Sequence, residues 1–209
     1  MKGFYFITDE ILTKRGNVKD VEIATSLGCQ VIQYRNKKNN SKKMYQEALE
    51  LKEIIKSINK ETKFLINDRV DIALAVDADG VHIGQEDLPI SIVRKLLPKN
   101  KIIGISIHSI EEVKEAIFYN VDYVGVGPVY KTLTKKDAGE PLGLQLLKDI
   151  KNYINLNKLK IPIVAIGGIK LNNVKEVILN GADMVSAISD TVQSDDMSKT
   201  IKEYQEKFF

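Results

Sequence analysis

The sequence predicts an α/β fold, a closed (β/α)8 TIM barrel formed as a single domain over residues 1–209, on three observations. Short runs dense in Val, Ile and aromatic residues recur along the chain. They are continuous rather than alternating, as strands covered on both faces should be. Stretches of helical periodicity separate them, giving eight strand–helix units with no linker-like tract between them. An open doubly wound sheet would show the same local alternation. A dinucleotide-binding sheet would also carry a Gly-rich fingerprint after its first strand, and none follows Thr8.

The elements follow in order. The predicted strands are Phe4–Thr8, Val31–Arg35, Phe64–Asn67, Gly80–Ile83, Ile102–Ile107, Tyr123–Val126, Ile163–Ile166 and Met184–Ile188. Between the second and third, Ser41–Ile58 places Met44, Ala48, Leu49, Leu51 and Ile55 at helical spacing. After the fifth strand, Ser109-Ile110-Glu111-Glu112 reads as a capping box opening a helix to Tyr119. Helices are also predicted over Leu144–Ile154, Asn172–Leu179 and Ser198–Phe208. One long connection, from Pro128 to Leu142, has little apolar periodicity and reads as a lid or binding loop.

Barrel enzymes draw their chemistry from the carboxyl ends of the strands. Strand two ends in Gln33-Tyr34-Arg35-Asn36-Lys37, so Gln33, Arg35 and Lys37 share one direction. An amide, a guanidinium fork and an ammonium converging there call for an anion. A charged strand end in water is the plainer account. Strand three ends in Asn67-Asp68-Arg69 and strand four is followed by Gln85-Glu86-Asp87, which sets Asp68 and Asp87 on neighbouring strand ends. Carboxylates beside a polyphosphate suit Mg2+, a hard ion that completes its shell with water and phosphate; an Arg–Asp salt bridge is the alternative. Thr132, Thr134, Lys135 and Lys136 lie on the long loop and could clamp phosphate on closure. Gly167-Gly168 after strand seven and Ile188-Ser189 after strand eight occupy the recurring phosphate corner of such barrels. Two separate anion sites beside one pocket imply two phosphorylated small-molecule substrates.

Composition narrows the remaining classes. A formal charge of +3 with scattered lysine pairs gives no case for nucleic acid. No segment approaches the roughly 20 apolar residues of a membrane span, and no export signal opens the chain. The single cysteine, Cys29, is expected to be buried packing in a reducing cytoplasm. With two histidines, a zinc cluster or a Cys–His nucleophile is disfavoured. His82 reads as a packing residue, and His108 as capping the turn after strand five. The sequence leaves homo-oligomer formation open.

Taken together, these motifs closely resemble the thiamine phosphate synthase (thiamine-phosphate pyrophosphorylase) family along essentially the whole chain. The resemblance is carried by Phe4-Tyr5-Phe6-Ile7-Thr8-Asp9, Gln33-x-Arg35-x-Lys37, Asn67-Asp68-Arg69-Val70-Asp71 and the run from Asp79 through Pro89. It continues through Gly104-Ile105-Ser106, Gly125-x-Gly127-Pro128-Val129-Tyr130, Thr132-x-Thr134-Lys135-Lys136-Asp137, Ala165-Ile166-Gly167-Gly168-Ile169 and Ala182-Asp183-Met184-Val185. It implies a transferase that condenses hydroxymethylpyrimidine diphosphate with a hydroxyethylthiazole phosphate, with or without a carboxylate on the thiazole, releasing pyrophosphate. It further implies that Gln33, Arg35, Lys37, Asn67, Ser106 and Lys135 hold the pyrimidine diphosphate. Asp68 and Asp87 would hold Mg2+, and Thr132, Thr134, Gly168, Ile188 and Ser189 the thiazole phosphate. Family members are thought to react dissociatively, through a pyrimidine methylene cation, so no classical acid or base is expected. Met184, where glycine is common in the family, and the polar Ser186 depart from the pattern. A thiazole tautomerase of the same superfamily is the nearest rival; it would carry histidine in place of Pro128 and lack the acidic pair. A non-catalytic barrel sensing thiamine precursors would likewise have no use for the two aspartates.

Overall fold

Eight parallel strands pair in sequence order, and the last returns to the first to close a barrel. The architecture comes from a computed structural model that describes residues 1–132, 134 and 139–209. The strands are β1 (Gly3–Ile7), β2 (Val31–Tyr34), β3 (Lys63–Asn67), β4 (Gly80–Ile83), β5 (Ile102–Ile107), β6 (Tyr123–Val126), β7 (Ile163–Ile166) and β8 (Met184–Ser186). Helices α1 (Asn17–Ser26), α2 (Ser41–Ile58), α3 (Val70–Ala75), α4 (Ile90–Leu96), α5 (Ile110–Phe118), α6 (Gly143–Leu156) and α7 (Val174–Leu179) follow the strands in turn. Two more, α8 (Ile188–Val192) and α9 (Met197–Glu206), follow β8.

Burial on both faces explains the continuous strands. Outward residues such as Phe6, Ile32, Phe64, Val81, Ile103 and Val124 pack under the helices in one large core. Inward residues form a second, smaller core of Tyr5, Ile7, Val31, Leu65, Tyr123, Val164 and Met184 inside the barrel. The predicted strands match those observed to within one residue at each end. The exception is β8, which stops at Ser186, with Ile188 opening α8 instead of ending the strand. Its neighbour register, Ile166 opposite Ser186, is the last pair before the chain turns out of the sheet.

Helix α5 begins as its capping sequence implies: the Ser109 side chain accepts from the Glu112 backbone N–H. The return half of the box is displaced by one residue, since the Glu112 carboxylate takes the N–H of His108 at 2.6 Å. The long connection after β6 is anchored at both ends. Val129 N–H donates to the Ile166 carbonyl and Tyr130 N–H to Gly167, prolonging β6 along the end of β7. Leu142 and Gly143 then close back on the carbonyls of Pro128 and Val129. Its base is therefore a fixed rim of the barrel mouth. Cys29 is buried, and burial pushes its thiol up to about 12, which suits packing and not reactivity. No helix among the described residues is long and apolar enough to cross a membrane.

Candidate active site

A cavity of about 510 Å³ opens at the carboxyl ends of the strands. Its lining includes Gln33, Arg35, Lys37, Asn67, Asp68, Asp87, Ser106, Thr132, Thr134, Gly168, Ile188 and Ser189. Twelve of the thirteen residues expected from sequence thus meet at one place; the remaining one, Lys135, lies outside the described residues.

One wall is electrostatic. Thr8 ties the ends of β1 and β2 together, its hydroxyl donating to the Arg35 carbonyl and accepting the Arg35 N–H. That coupling sets Arg35 beside the buried carboxylate of Asp9, 2.8 Å from its guanidinium. Asp9 is itself fixed by the N–H groups of Ile11 and Leu12. Arg35 is therefore held in place before any ligand arrives. Lys37 reaches across to form an ion pair with Asp68. The Arg–Asp salt bridge offered as the alternative does not form at Asp68, whose partner is a lysine. Arg69 turns away to pair with Asp71, which holds that carboxyl below the usual range.

The two acids are held by their loops in different ways. Asp68 has φ 59, in the left-handed region that Asp tolerates better than most residues. Its N–H donates to the His82 carbonyl at 2.8 Å, so the turn off β3 is stitched to β4. Asp87 accepts the Gly84 N–H at 2.7 Å, folding the loop after β4 over the cavity. Burial first, and the adjoining Asp68 carboxylate after it, push the Asp87 carboxyl above its ordinary value, opposed by the Gly84 hydrogen bond and Lys37. Two acids held this close are relieved by a cation between them. Hard oxygen donors of this kind fit Mg2+. Among the described residues no group of three or more His, Cys, Asp or Glu is arranged for a metal, so water and ligand phosphate would complete the shell.

The opposite side of the mouth is built mainly from backbone turns and helix starts, with Lys170 as its charged side chain among the described lining residues. Gly167 and Gly168 both have positive φ, and a Cβ on Gly168 would lie 2.6 Å from the Lys131 carbonyl oxygen. Only glycine lets the turn after β7 lie against the rim formed after β6. As the first residues of α8, Ile188 and Ser189 carry backbone N–H groups with no partner inside the helix. Ser186 faces the same cavity, and its buried Oγ has no hydrogen-bond partner among the described residues.

Beneath these walls lies a polar line that the sequence reading missed. Gln33 Nε2 donates to Tyr5 Oη at 2.8 Å, and Tyr5 Oη meets Tyr123 Oη at 2.7 Å. Tyr123 Oη contacts His82 Nδ1 at 2.8 Å, and His82 Nε2 contacts Ser106 Oγ at 3.0 Å. Two strand glycines make room for it. A Cβ at Gly104 would lie 2.0 Å from the Tyr123 ring, and one at Gly125 would lie 3.0 Å from the His82 ring. Burial raises the pKa of both tyrosines well above the usual tyrosine range, so their hydroxyls stay protonated. His82, expected to be packing, is a member of the cavity floor. The available signal was glycine inside a strand, which marks a close approach. His108, expected to cap the turn after strand five, precedes the residue that does so: Ser109 caps α5, and His108 Nδ1 lies 3.3 Å from Glu112.

Comparison with known proteins places this geometry. The family described as thiamine monophosphate synthase matches residues 4–191. The chain belongs to that family. Among thiamine monophosphate synthase relatives, the thiamine-phosphate synthase of Methanosarcina mazei is 47% identical over 201 residues, covering 96% of this chain and 80% of that protein. That of Clostridium novyi is 44% identical, covering 94% of this chain and 95% of its own. The solved thiamine phosphate pyrophosphorylase from Pyrococcus furiosus superposes with a TM-score of 0.86 at 37% identity, over 99% of this chain and 95% of its own. A 3-hexulose-6-phosphate synthase, with TM-score 0.67 and 16% identity, shares the fold alone. The family membership makes the chain a transferase, and the cavity described above is its candidate active site.

Proposed function

We propose that this chain joins hydroxymethylpyrimidine diphosphate to a hydroxyethylthiazole phosphate, carboxylated or not, giving thiamine monophosphate and pyrophosphate. The observation that carries the reading is that Arg35, Lys37, Asp68 and Asp87 share one wall of a cavity whose other wall is a glycine-rich corner. The names of the relatives supply the product, thiamine phosphate; the two substrates are those that the family resemblance implies.

In this reading the pyrimidine diphosphate lies along the electrostatic wall, held by Gln33, Arg35, Lys37, Asn67, Ser106 and Lys135. The thiazole phosphate lies in the glycine-rich corner, held by Thr132, Thr134 and the backbone of Gly168, Ile188 and Ser189. The C–O bond between the pyrimidine methylene and the diphosphate breaks, and its electron pair leaves with pyrophosphate. The thiazole nitrogen supplies the pair for the new C–N bond. Mg2+ held by Asp68 and Asp87 would neutralise charge growing on the leaving oxygens. Lys37, paired with Asp68, would exchange that partner for a phosphate oxygen if Asp68 held the metal. Arg35 needs no such rearrangement because Asp9 already orients it. The apolar residues Val164, Ile166 and Ile188 on the cavity wall exclude water that would otherwise trap the electron-deficient methylene. No side chain has to act as nucleophile. A thiazole tautomerase would leave Asp68 and Asp87 without a task.

The experiment is direct: incubate the purified protein with Mg2+ and both substrates and quantify products. Equimolar thiamine monophosphate and pyrophosphate are expected. A protein that isomerises the thiazole, or binds both compounds without forming the C–N bond, overturns the reading.

A further inference from the structure

The line beneath the cavity joins five strands, and donor accounting gives it a direction. Gln33 Nε2 can only donate, so Tyr5 Oη accepts there. Tyr5 is buried, and its own proton goes to the neighbouring Tyr123 Oη. Tyr123, equally buried, passes its proton to His82 Nδ1. A neutral imidazole that accepts at Nδ1 carries its proton on Nε2, which faces Ser106 Oγ. Ser106 accepts that hydrogen bond, and its single hydroxyl proton is left to point elsewhere, into the cavity it lines. The reverse order requires the Gln33 amide to turn over and present oxygen to Tyr5.

We propose that Tyr5, Tyr123 and His82 are positioning residues that act through Ser106: they fix His82 as the Nε2–H tautomer and make the Ser106 hydroxyl a donor aimed at an acceptor atom of the bound ligand. Bonds running head to tail polarise one another, so the line strengthens the last donor as well as orienting it. The two tyrosines hold their protons because they are buried, which keeps the line neutral and one-way. Gly104 and Gly125 are the openings through which Tyr123 and His82 cross the barrel. The naming of the ligand as the pyrimidine diphosphate rests on the proposed function; the tautomer does not.

Two measurements test it. The chain has two histidines, so long-range proton–nitrogen correlation of protein labelled with 15N-histidine reads each tautomer, with His82→Gln assigning the signals. The free wild-type protein at neutral pH should show His82 protonated at Nε2 only. Tyr5→Phe, which keeps the ring and does not touch His82, should shift its nitrogens toward a mixture. A wild-type His82 protonated at Nδ1, or doubly protonated, overturns the proposal, as does a Tyr5→Phe protein with unchanged shifts. The second measurement is a kinetic cycle. Tyr123→Phe should lower kcat/KM for the pyrimidine diphosphate about tenfold, the worth of one neutral hydrogen bond. In a Ser106→Ala background the same change should cost less than about twofold, because the group it acts through is gone. Equal losses in both backgrounds would assign Tyr123 a packing role only. If the wild type makes no thiamine monophosphate, the functional reading fails while the nitrogen spectra still decide the tautomer.

Discussion

Gly104 owes its place to the Tyr123 ring, which crosses the barrel over its Cα. The ring is buried, rigid and anchored at its hydroxyl, so it has little room to give way to a methyl group. Gly104→Ala should cost about 1–3 kcal/mol by overpacking, read in urea unfolding. Wild-type stability would mean the ring can move aside freely. Ser186 is the converse case, a buried hydroxyl without a partner among the described residues. Ser186→Ala removes an unmet polar atom and should leave the protein equally stable or about 1 kcal/mol more so in thermal unfolding; a clear loss would show a hidden bond. For Asp68 and Asp87, alanine at either position should lower turnover by on the order of 100-fold, if the metal contributes as much as one strong electrostatic contact. Full activity in both variants with Mg2+ still required would remove them from the metal site. The left-handed φ of Asp68 makes this position a poor place for most side chains, so Asp68→Asn is the gentler control.

Helix α5 offers a clean measure of capping. Ser109 accepts the Glu112 N–H at 3.2 Å, and Ser109→Ala should cost about 1 kcal/mol while Ser109→Gly costs only a few tenths. Equal losses from both substitutions would point to a role other than the cap. Elements like this were legible because their signals are local. The strands were legible for a related reason: a parallel barrel buries both faces, and every strand must then be apolar throughout. Helix α1 was not. Its buried face carries Asn17, Asp20 and Thr25, which break the apolar period. Each has a partner the sequence cannot reveal: Glu47 on α2 for the Asn17 amide nitrogen, Arg15 and Thr13 for Asp20, and the Val21 carbonyl for Thr25. The end of β8 was misjudged because Val185 to Ile188 is β-branched enough for a strand, yet the chain turns into α8 after Ser186. The candidate site followed the same division. Residues in short motifs at strand ends were found, while Tyr5, His82 and Tyr123 belong to three separate strands and become a unit only across the barrel interior.

Closing a barrel depends on its last seam, and here β1 and β8 share the shortest register, with Gly3 opposite Met184 and Phe4 opposite Val185. Contacts outside the sheet reinforce it. Phe4 stacks on Tyr204 of α9 with ring centroids 5.0 Å apart, and Gln205 reaches the Leu27 carbonyl after α1. The strongest tie is Arg15. Its guanidinium pairs with the fully buried Asp20 and donates to the carbonyls of Ser194 and Val192, clasping the segment after α8 to the loop before α1. Arg15→Ala would strip Asp20 of its counter-charge and leave two carbonyls unmet. Thr13 also donates to Asp20 and softens the loss, so a cost of about 3 kcal/mol is expected, the low end for breaking a buried pair. Arg15 is not among the residues lining the cavity, so the folded fraction should keep its turnover at low temperature while the unfolding midpoint falls. Denaturation followed beside activity separates the two. A change within about 0.5 kcal/mol of wild type, as at an ordinary surface position, would show that the strand pairing alone closes the barrel.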